Sequence, residues 1–107
     1  MATRDGPGDW KILQIRGEID LSTADRVEAR FDEMIEAGQH HLIADLSEVA
    51  FMDSTGVSVL AKVLRRVRDQ EGELTVVCRK GPVRMVLAAS GLEPELAVSE
   101  DMPLASE

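Results

Sequence analysis

Phe51-Met52-Asp53-Ser54-Thr55-Gly56 joins two apolar runs of different character. Val49 to Met52, before it, is short and strand-like. The residues from Val57 onward recur at helical spacing. A serine at such a strand-to-helix junction lies beside backbone N–H groups that have no partner inside the helix. Its ordinary role there is N-cap, a position that Ser, Thr, Asp and Asn all favour. The same place accommodates a phosphate, which the free N–H groups and the helix dipole stabilise.

The helix that follows is expected from Ser54 to Asp69. With Ser54 at zero and about 100° per residue, Val57, Leu60, Ala61, Leu64 and Val67 fall between roughly 220° and 340°. That arc is the expected core face. Val59 and Val63 fall off it, at roughly 140° and 180°. The whole apolar arc is wider than a surface helix needs, so Val63 is expected to be buried and Val59, near the first turn, to be more open. Lys62, Arg65, Arg66 and Asp69 form the wet side.

Upstream, His41 to Leu46 is a strand candidate. Before it, a helix should start near Ser22 or Thr23, with Ser22 and Asp25 or Thr23 and Arg26 bracketing the cap. Val27, Phe31, Met34 and Ile35 mark its apolar stripe, and Gly38 its stop. Trp10 to Arg16 is an earlier strand candidate, with Gly17-Glu18-Ile19-Asp20 leading out of it. Residues 1–9 read as a tail or a short first strand ending at Gly6-Pro7-Gly8.

Downstream, Glu73 to Arg79 is a strand and Gly81-Pro82 starts a third helix, with Pro at its first turn. Val83, Val86, Leu87 and Ser90 share a face of that helix. Gly91-Leu92 reads as its Schellman-type end. Leu96 to Val98 is a last short strand, and residues 100–107 a loose acidic tail. Alternating strands and helices predict one α/β domain over residues 10–99. Its sheet should be mainly parallel, with four to five strands and right-handed βα crossover helices.

The composition agrees with a globular chain. Of 107 residues, 44% are hydrophobic and 30% charged, a balance that supports a modest core. Trp10, Phe31 and Phe51 are the aromatic residues, so aliphatic side chains must fill the core. A net charge of −8 disfavours nonspecific binding to nucleic acid or to an anionic membrane. The charge is unevenly placed: residues 18–53 hold ten acids and two bases, whereas residues 62–84 hold seven bases and three acids. A field with two poles suits a protein partner. No uncharged run approaches the ~20 residues of a membrane span, so membrane insertion is not expected and a cytoplasmic location is. Cys78 lies alone in an apolar run, which implies packing and no intrachain disulfide.

Chemistry at the junction is limited by its neighbours. No metal site is expected, because adjacent His40 and His41 point to opposite faces of a strand and one cysteine stands alone. No glycine-rich phosphate loop or dinucleotide fingerprint is present, so no cofactor is expected. A nucleophilic Ser54 would need a base, and the two histidines belong to the far end of the preceding strand. Modification of Ser54 is different. A phosphate adds roughly −1.5 to −2 charge. Against a partner carboxylate ~6 Å away this repulsion is about 1 kcal/mol at ε ≈ 80 and ~5 kcal/mol at ε ≈ 20. One hydroxyl can therefore work as an off-switch for binding.

Four stretches together resemble a known family: Gly17-Glu18-Ile19-Asp20, Leu42-Ile43-Ala44-Asp45-Leu46, Phe51-Met52-Asp53-Ser54-Thr55-Gly56 and Ser90-Gly91-Leu92. Their order and spacing are similar to those of the STAS-domain anti-sigma factor antagonists over about residues 10–100, with Phe51 to Gly56 the specific element. The resemblance implies a non-enzymatic partner-switching protein that binds, when unphosphorylated, an anti-sigma factor with a histidine-kinase-like ATPase (serine kinase) domain. A sigma factor is thereby freed. It implies phosphorylation at Ser54, with Thr55 and Ser58 as further acceptors, and reversal by a PP2C-type serine phosphatase. The partner-facing set it implies, together with the open apolar strip, is Asp20, Asp53, Ser54, Thr55, Gly56, Val57 and Val59. Gly56-Val57-Ser58 stands where the family often has Gly-Leu-Gly, and the family's last helix is short of apolar residues here. Some STAS domains are instead constitutive subunits of lipid-transport or other signalling assemblies, which is the alternative reading.

Overall fold

The apolar stretch Leu42 to Leu46 forms the middle of the sheet. In a computed structural model, which describes residues 1–102, five strands lie in the order β1-β2-β3-β4-β5. They are β1 (Ala2–Asp5), β2 (Lys11–Ile19), β3 (His41–Met52), β4 (Glu73–Val77) and β5 (Val98–Ser99). β1 runs antiparallel to β2, and the remaining neighbours are parallel. The parallel strands are joined through α1 (Ala24–Glu36), α2 (Ser54–Asp69), and α3 (Pro82–Ser90) with α4 (Glu93–Leu96). This is the expected mainly parallel α/β sheet with crossover helices. Of the expected acidic tail, residues 103–107 lie outside the described residues.

Strand periodicity sorts the side chains into two layers. Leu13, Ile15, Leu42, Ala44, Leu46, Leu74 and Val76 face the helices and pack with Phe31, Leu60, Leu64, Leu87 and Leu96 in one continuous core. The other face carries a smaller cluster of Ile12, Ile43 and Val77, against which Trp10 and Met102 pack. Asp45 is buried on that second face. Its Oδ1 accepts from the Ser47 N–H at 3.0 Å, and Arg4 stands 3.9 Å from its Oδ2. Cys78, just past β4, is buried, and that burial pushes its thiol pKa up.

Several local expectations need correction. β2 does not end at Arg16, and Val49 to Met52 is not a separate run. β2 and β3 stay paired to Ile19↔Met52, with register irregularities at Gln14/Arg16 and Gly17/Glu18. Those irregularities absorb the polar Ser47-Glu48 interruption that makes β3 look broken in sequence. β4 stops at Val77, although the Cys78 N–H still donates to the Ser99 carbonyl at 2.8 Å. Leu96 closes α4 and is not part of the last strand. No capping box opens α1: Thr23 is its N-cap residue, and its hydroxyl is spent on the preceding loop.

The face of α2 is rotated from the expected one. Its buried residues are Gly56, Val59, Leu60, Val63, Leu64 and Val67, while Val57 and Ala61 are half-buried. Gly56 causes the rotation. A Cβ there would lie 2.4 Å from Met52 Cγ and 3.0 Å from Ile19 Cγ2. The helix start therefore lies against the strands on its glycine side, which carries Val59 inward. Val59 is 4% exposed and is not a partner-facing residue. Across the helix pair, Lys62 meets Glu28 at 3.7 Å and Arg66 pairs with Asp32.

Val59→Ala is expected to lower the unfolding free energy by about 2 kcal/mol, from lost methyl burial and the cavity left behind. Urea denaturation monitored by circular dichroism measures it. An unchanged midpoint would place Val59 at the surface.

Candidate functional site

Open α/β sheets present their sites at the carboxyl ends of parallel strands. Here the ends of β2 and β3 meet the start of α2. The Asp53 N–H donates to the Ile19 carbonyl at 3.3 Å, which ties the β3–α2 turn to the end of β2. Asp53 itself is the N-cap of α2. Its Oδ1 accepts from the Thr55 N–H at 2.9 Å and also from the Thr55 hydroxyl. The Asp53 carbonyl accepts from the Gly56 and Val57 N–H groups at 3.1 and 3.4 Å.

Ser54 is therefore not the cap. It is the first residue of the helix, exposed, and among the described residues its hydroxyl has no hydrogen bond to protein. An aspartate before the serine accounts for the difference: its carboxylate takes the Thr55 N–H, and the Gly56 and Val57 N–H groups that a Ser54 cap would have accepted already donate to the Asp53 carbonyl. Thr55 is half-buried with its hydroxyl committed to Asp53, and Gly56 is buried. Val57 is half-buried against the core, and Ser58 is exposed one helical turn beyond Ser54.

Asp20 stands at the neighbouring end of β2. Its Oδ1 accepts from the Ser22 N–H at 2.9 Å and the Ser22 hydroxyl at 2.7 Å. Its N–H donates to Thr23 Oγ1 at 2.9 Å, and the Thr23 hydroxyl donates to the Glu18 carbonyl at 2.8 Å. The bond from the Ser22 hydroxyl is the chief cause that holds the Asp20 carboxyl below its ordinary pKa, against a smaller upward push from desolvation. Backbone donation from Ser22 and the Thr23 bonds add to the lowering.

Two residues of this end were not assigned from sequence. Leu21 is 81% exposed between Asp20 and Ser22, and Phe51 is 46% exposed two residues before Asp53. The available signal was a lone leucine inside a polar loop and an aromatic beside a buried methionine on the same strand. Exposed apolar groups flanking two carboxylates and a free hydroxyl make a surface suited to a protein partner. His40 and His41 lie at the opposite end of β3, where the His41 ring stacks edge-on with Trp10 at 5.4 Å. Neither can serve Ser54 as a base. Among the described residues no cluster of three metal-ligating side chains occurs, and no helix is long and apolar enough to cross a membrane.

The STAS domain family model matches residues 1–105, and the chain belongs to that family. An anti-sigma F factor antagonist of Paenibacillus polymyxa is 34% identical over 82 residues, covering 76% of this chain and 70% of that protein. The anti-sigma-F factor antagonist RsfB of Mycobacterium tuberculosis is likewise 34% identical, over 77% of this chain and 66% of its own length. The crystal structure of an anti-sigma factor antagonist from Mycobacterium paratuberculosis superposes with a TM-score of 0.85 at 25% identity. It covers 94% of this chain and 84% of that one.

Asp53→Ala removes the cap and frees Thr55. A loss of about 1 kcal/mol in unfolding free energy is expected, with Asp53→Asn retaining most of it. Guanidinium titration of both variants checks this. For Asp20, the depressed folded-state pKa means that its stabilisation is complete above the unfolded carboxylate value and is lost as pH falls through the folded one. A carboxyl-detected NMR titration should place Asp20 below the usual range, and Ser22→Ala should move it back up.

Proposed function

We propose that this protein is an anti-sigma factor antagonist controlled by phosphorylation of Ser54. The observation that carries the reading is the exposed, unengaged Ser54 hydroxyl at the first position of α2, in a turn held from both sides by Asp53. Unmodified, the surface of Asp20, Leu21, Phe51, Asp53, Ser54 and Thr55, with Val57 at its margin, binds an anti-sigma factor that carries a histidine-kinase-like serine kinase domain. A sigma factor is released by that binding. Gly56 contributes by letting the helix start lie against Met52 and Ile19, not by touching the partner. The names of the relatives, both anti-sigma factor antagonists, support the assignment.

The geometry supports Ser54 over the other candidate acceptors. The Thr55 hydroxyl donates to Asp53 and is half-buried, so phosphorylating it would break the cap. Ser58 is exposed but lies inside the helix, past the free N–H groups. Ser54 loses no bond on modification, and a phosphate there keeps the favourable end of the helix dipole. The fold is thus retained while the charge at the surface, already acidic through Asp20 and Asp53, becomes more negative. A partner that approaches with carboxylates or packs closely is expelled, and a PP2C-type serine phosphatase restores binding. The protein itself acts as a non-enzymatic binding module of the cytoplasm.

Incubation with ATP and a cognate histidine-kinase-like ATPase should place phosphate on Ser54, as read by peptide mass spectrometry. Ser54→Ala should abolish labelling, and Thr55→Ala should not. Ser54→Asp should weaken kinase binding at least roughly tenfold. Labelling elsewhere, or equal affinity of wild type and Ser54→Asp, would refute the switch.

A further inference from the structure

Among the described residues, the large apolar side chains left exposed are Met1, Leu21, Phe51 and Met85, and Leu21 and Phe51 share one end of the sheet. Phe51 is the partner of Glu18 across β2 and β3, and Leu21 lies two residues past the end of β2. The Asp53 N–H, which donates to the Ile19 carbonyl, fixes the Ser54 turn to that same strand end. A leucine exposed singly carries no meaning. Leu21 differs because the chain on both sides of it is locked. The Asp20 carbonyl accepts from the Thr23 N–H at 3.1 Å and from the Ala24 N–H at 2.8 Å, which closes the turn around Leu21. The Thr23 hydroxyl braces that turn, taking the Asp20 N–H at 2.9 Å and donating to the Glu18 carbonyl at 2.8 Å. The Asp20 carboxylate holds the other side through the Ser22 N–H and hydroxyl. Between these anchored residues the Leu21 side chain is left in water, 81% exposed.

We infer that Leu21 is the apolar anchor of this surface, held out by the Asp20–Thr23 turn to enter an apolar pocket of the anti-sigma factor. The inference rests on the reading of this end as the surface that binds such a factor, and it adds what the partner presents there. Burial of a leucine is a favourable contribution that the free protein leaves unrealised. A turn that is already closed has little freedom left to lose, so more of that contribution appears as affinity. Thr23, half-buried with its hydroxyl spent on the strand end, is a positioning residue that acts through Leu21. The nearby charges exclude two other occupants. Glu18, Asp20 and Asp53 belong to the same strand ends, and among the described residues none of them forms an ion pair. An anionic membrane would be repelled by them. A second copy of the chain, docked through the same end, would bring the same carboxylates against them.

Calorimetric titration of the full chain with a cognate histidine-kinase-like ATPase tests this. Leu21→Ala should weaken binding by roughly tenfold or more, the loss of one buried leucine side chain. Leu21→Asp should weaken it further, and Leu21→Met, of similar volume, should bind more tightly than Leu21→Ala. All three should unfold in urea at the wild-type midpoint, because the side chain is exposed in the free protein. Thr23→Ala should weaken binding and Thr23→Ser should not. In the Leu21→Ala background, Thr23→Ala should cost nothing further, because the two residues act as one unit. Wild-type affinity in Leu21→Ala and Leu21→Asp, with Ser54→Asp still weakened, would overturn the anchor and leave the switch standing. Weakening by Leu21→Ala with Ser54→Asp binding as wild type would uphold the anchor and refute the switch. A full Thr23→Ala loss that persists in the Leu21→Ala background would overturn the positioning role. Absence of binding by the wild-type chain would overturn both the anchor and the reading on which it rests.

Discussion

One residue holds the candidate surface together. Asp53 gives its N–H to the carbonyl at the end of β2 and its carboxylate to the first turn of α2. The two strand ends and the helix start are thereby fixed relative to one another. Ser54 inherits its position from these bonds and contributes none of its own. A side chain that stabilises nothing is free to be altered, and this freedom is what a reversible modification requires. The close approach at Gly56 completes the arrangement, because the helix start can rest on Met52 and Ile19 only where no Cβ intervenes.

The electrostatic organisation follows the same division. Acids concentrate in the first half of the chain and bases in the second, yet much of the contrast is spent internally. Glu28 and Asp32 of α1 meet Lys62 and Arg66 of α2, and Arg68 meets Glu73. Such exposed pairs contribute little to stability. Among the described residues they leave over the carboxylates of Asp20 and Asp53 at one end of the sheet, and the exposed cations Arg26, Arg65, Arg79 and Lys80 elsewhere.

Much of the architecture was legible because periodicity reports burial directly. The spans of α1 and α2, the proline start of α3 and its Gly91 end all follow from local rules that tertiary packing did not override. Where the reading failed, a nonlocal contact decided. The continuity of β3 through Ser47-Glu48 depends on its pairing with β2, which the sequence of β3 alone does not contain. The orientation of α2 depends on a glycine contact, and glycine carries no weight in an apolar pattern. The cap of α2 was assigned one residue late because Asp53 and Ser54 are both good caps. Only the geometry of the turn chooses between them. Leu21 was passed over because a single apolar residue in a loop has no period.

Cys78 bears on how this molecule can be observed. It is the only cysteine, it is buried, and its thiol is held in the unreactive protonated form by that burial. Thiolate is the species that reacts with alkylating dyes. A cysteine introduced at an exposed position such as Leu21 would therefore be modified selectively in the otherwise native chain. The fold thus provides a silent background against which a single reporter at the binding surface can be read.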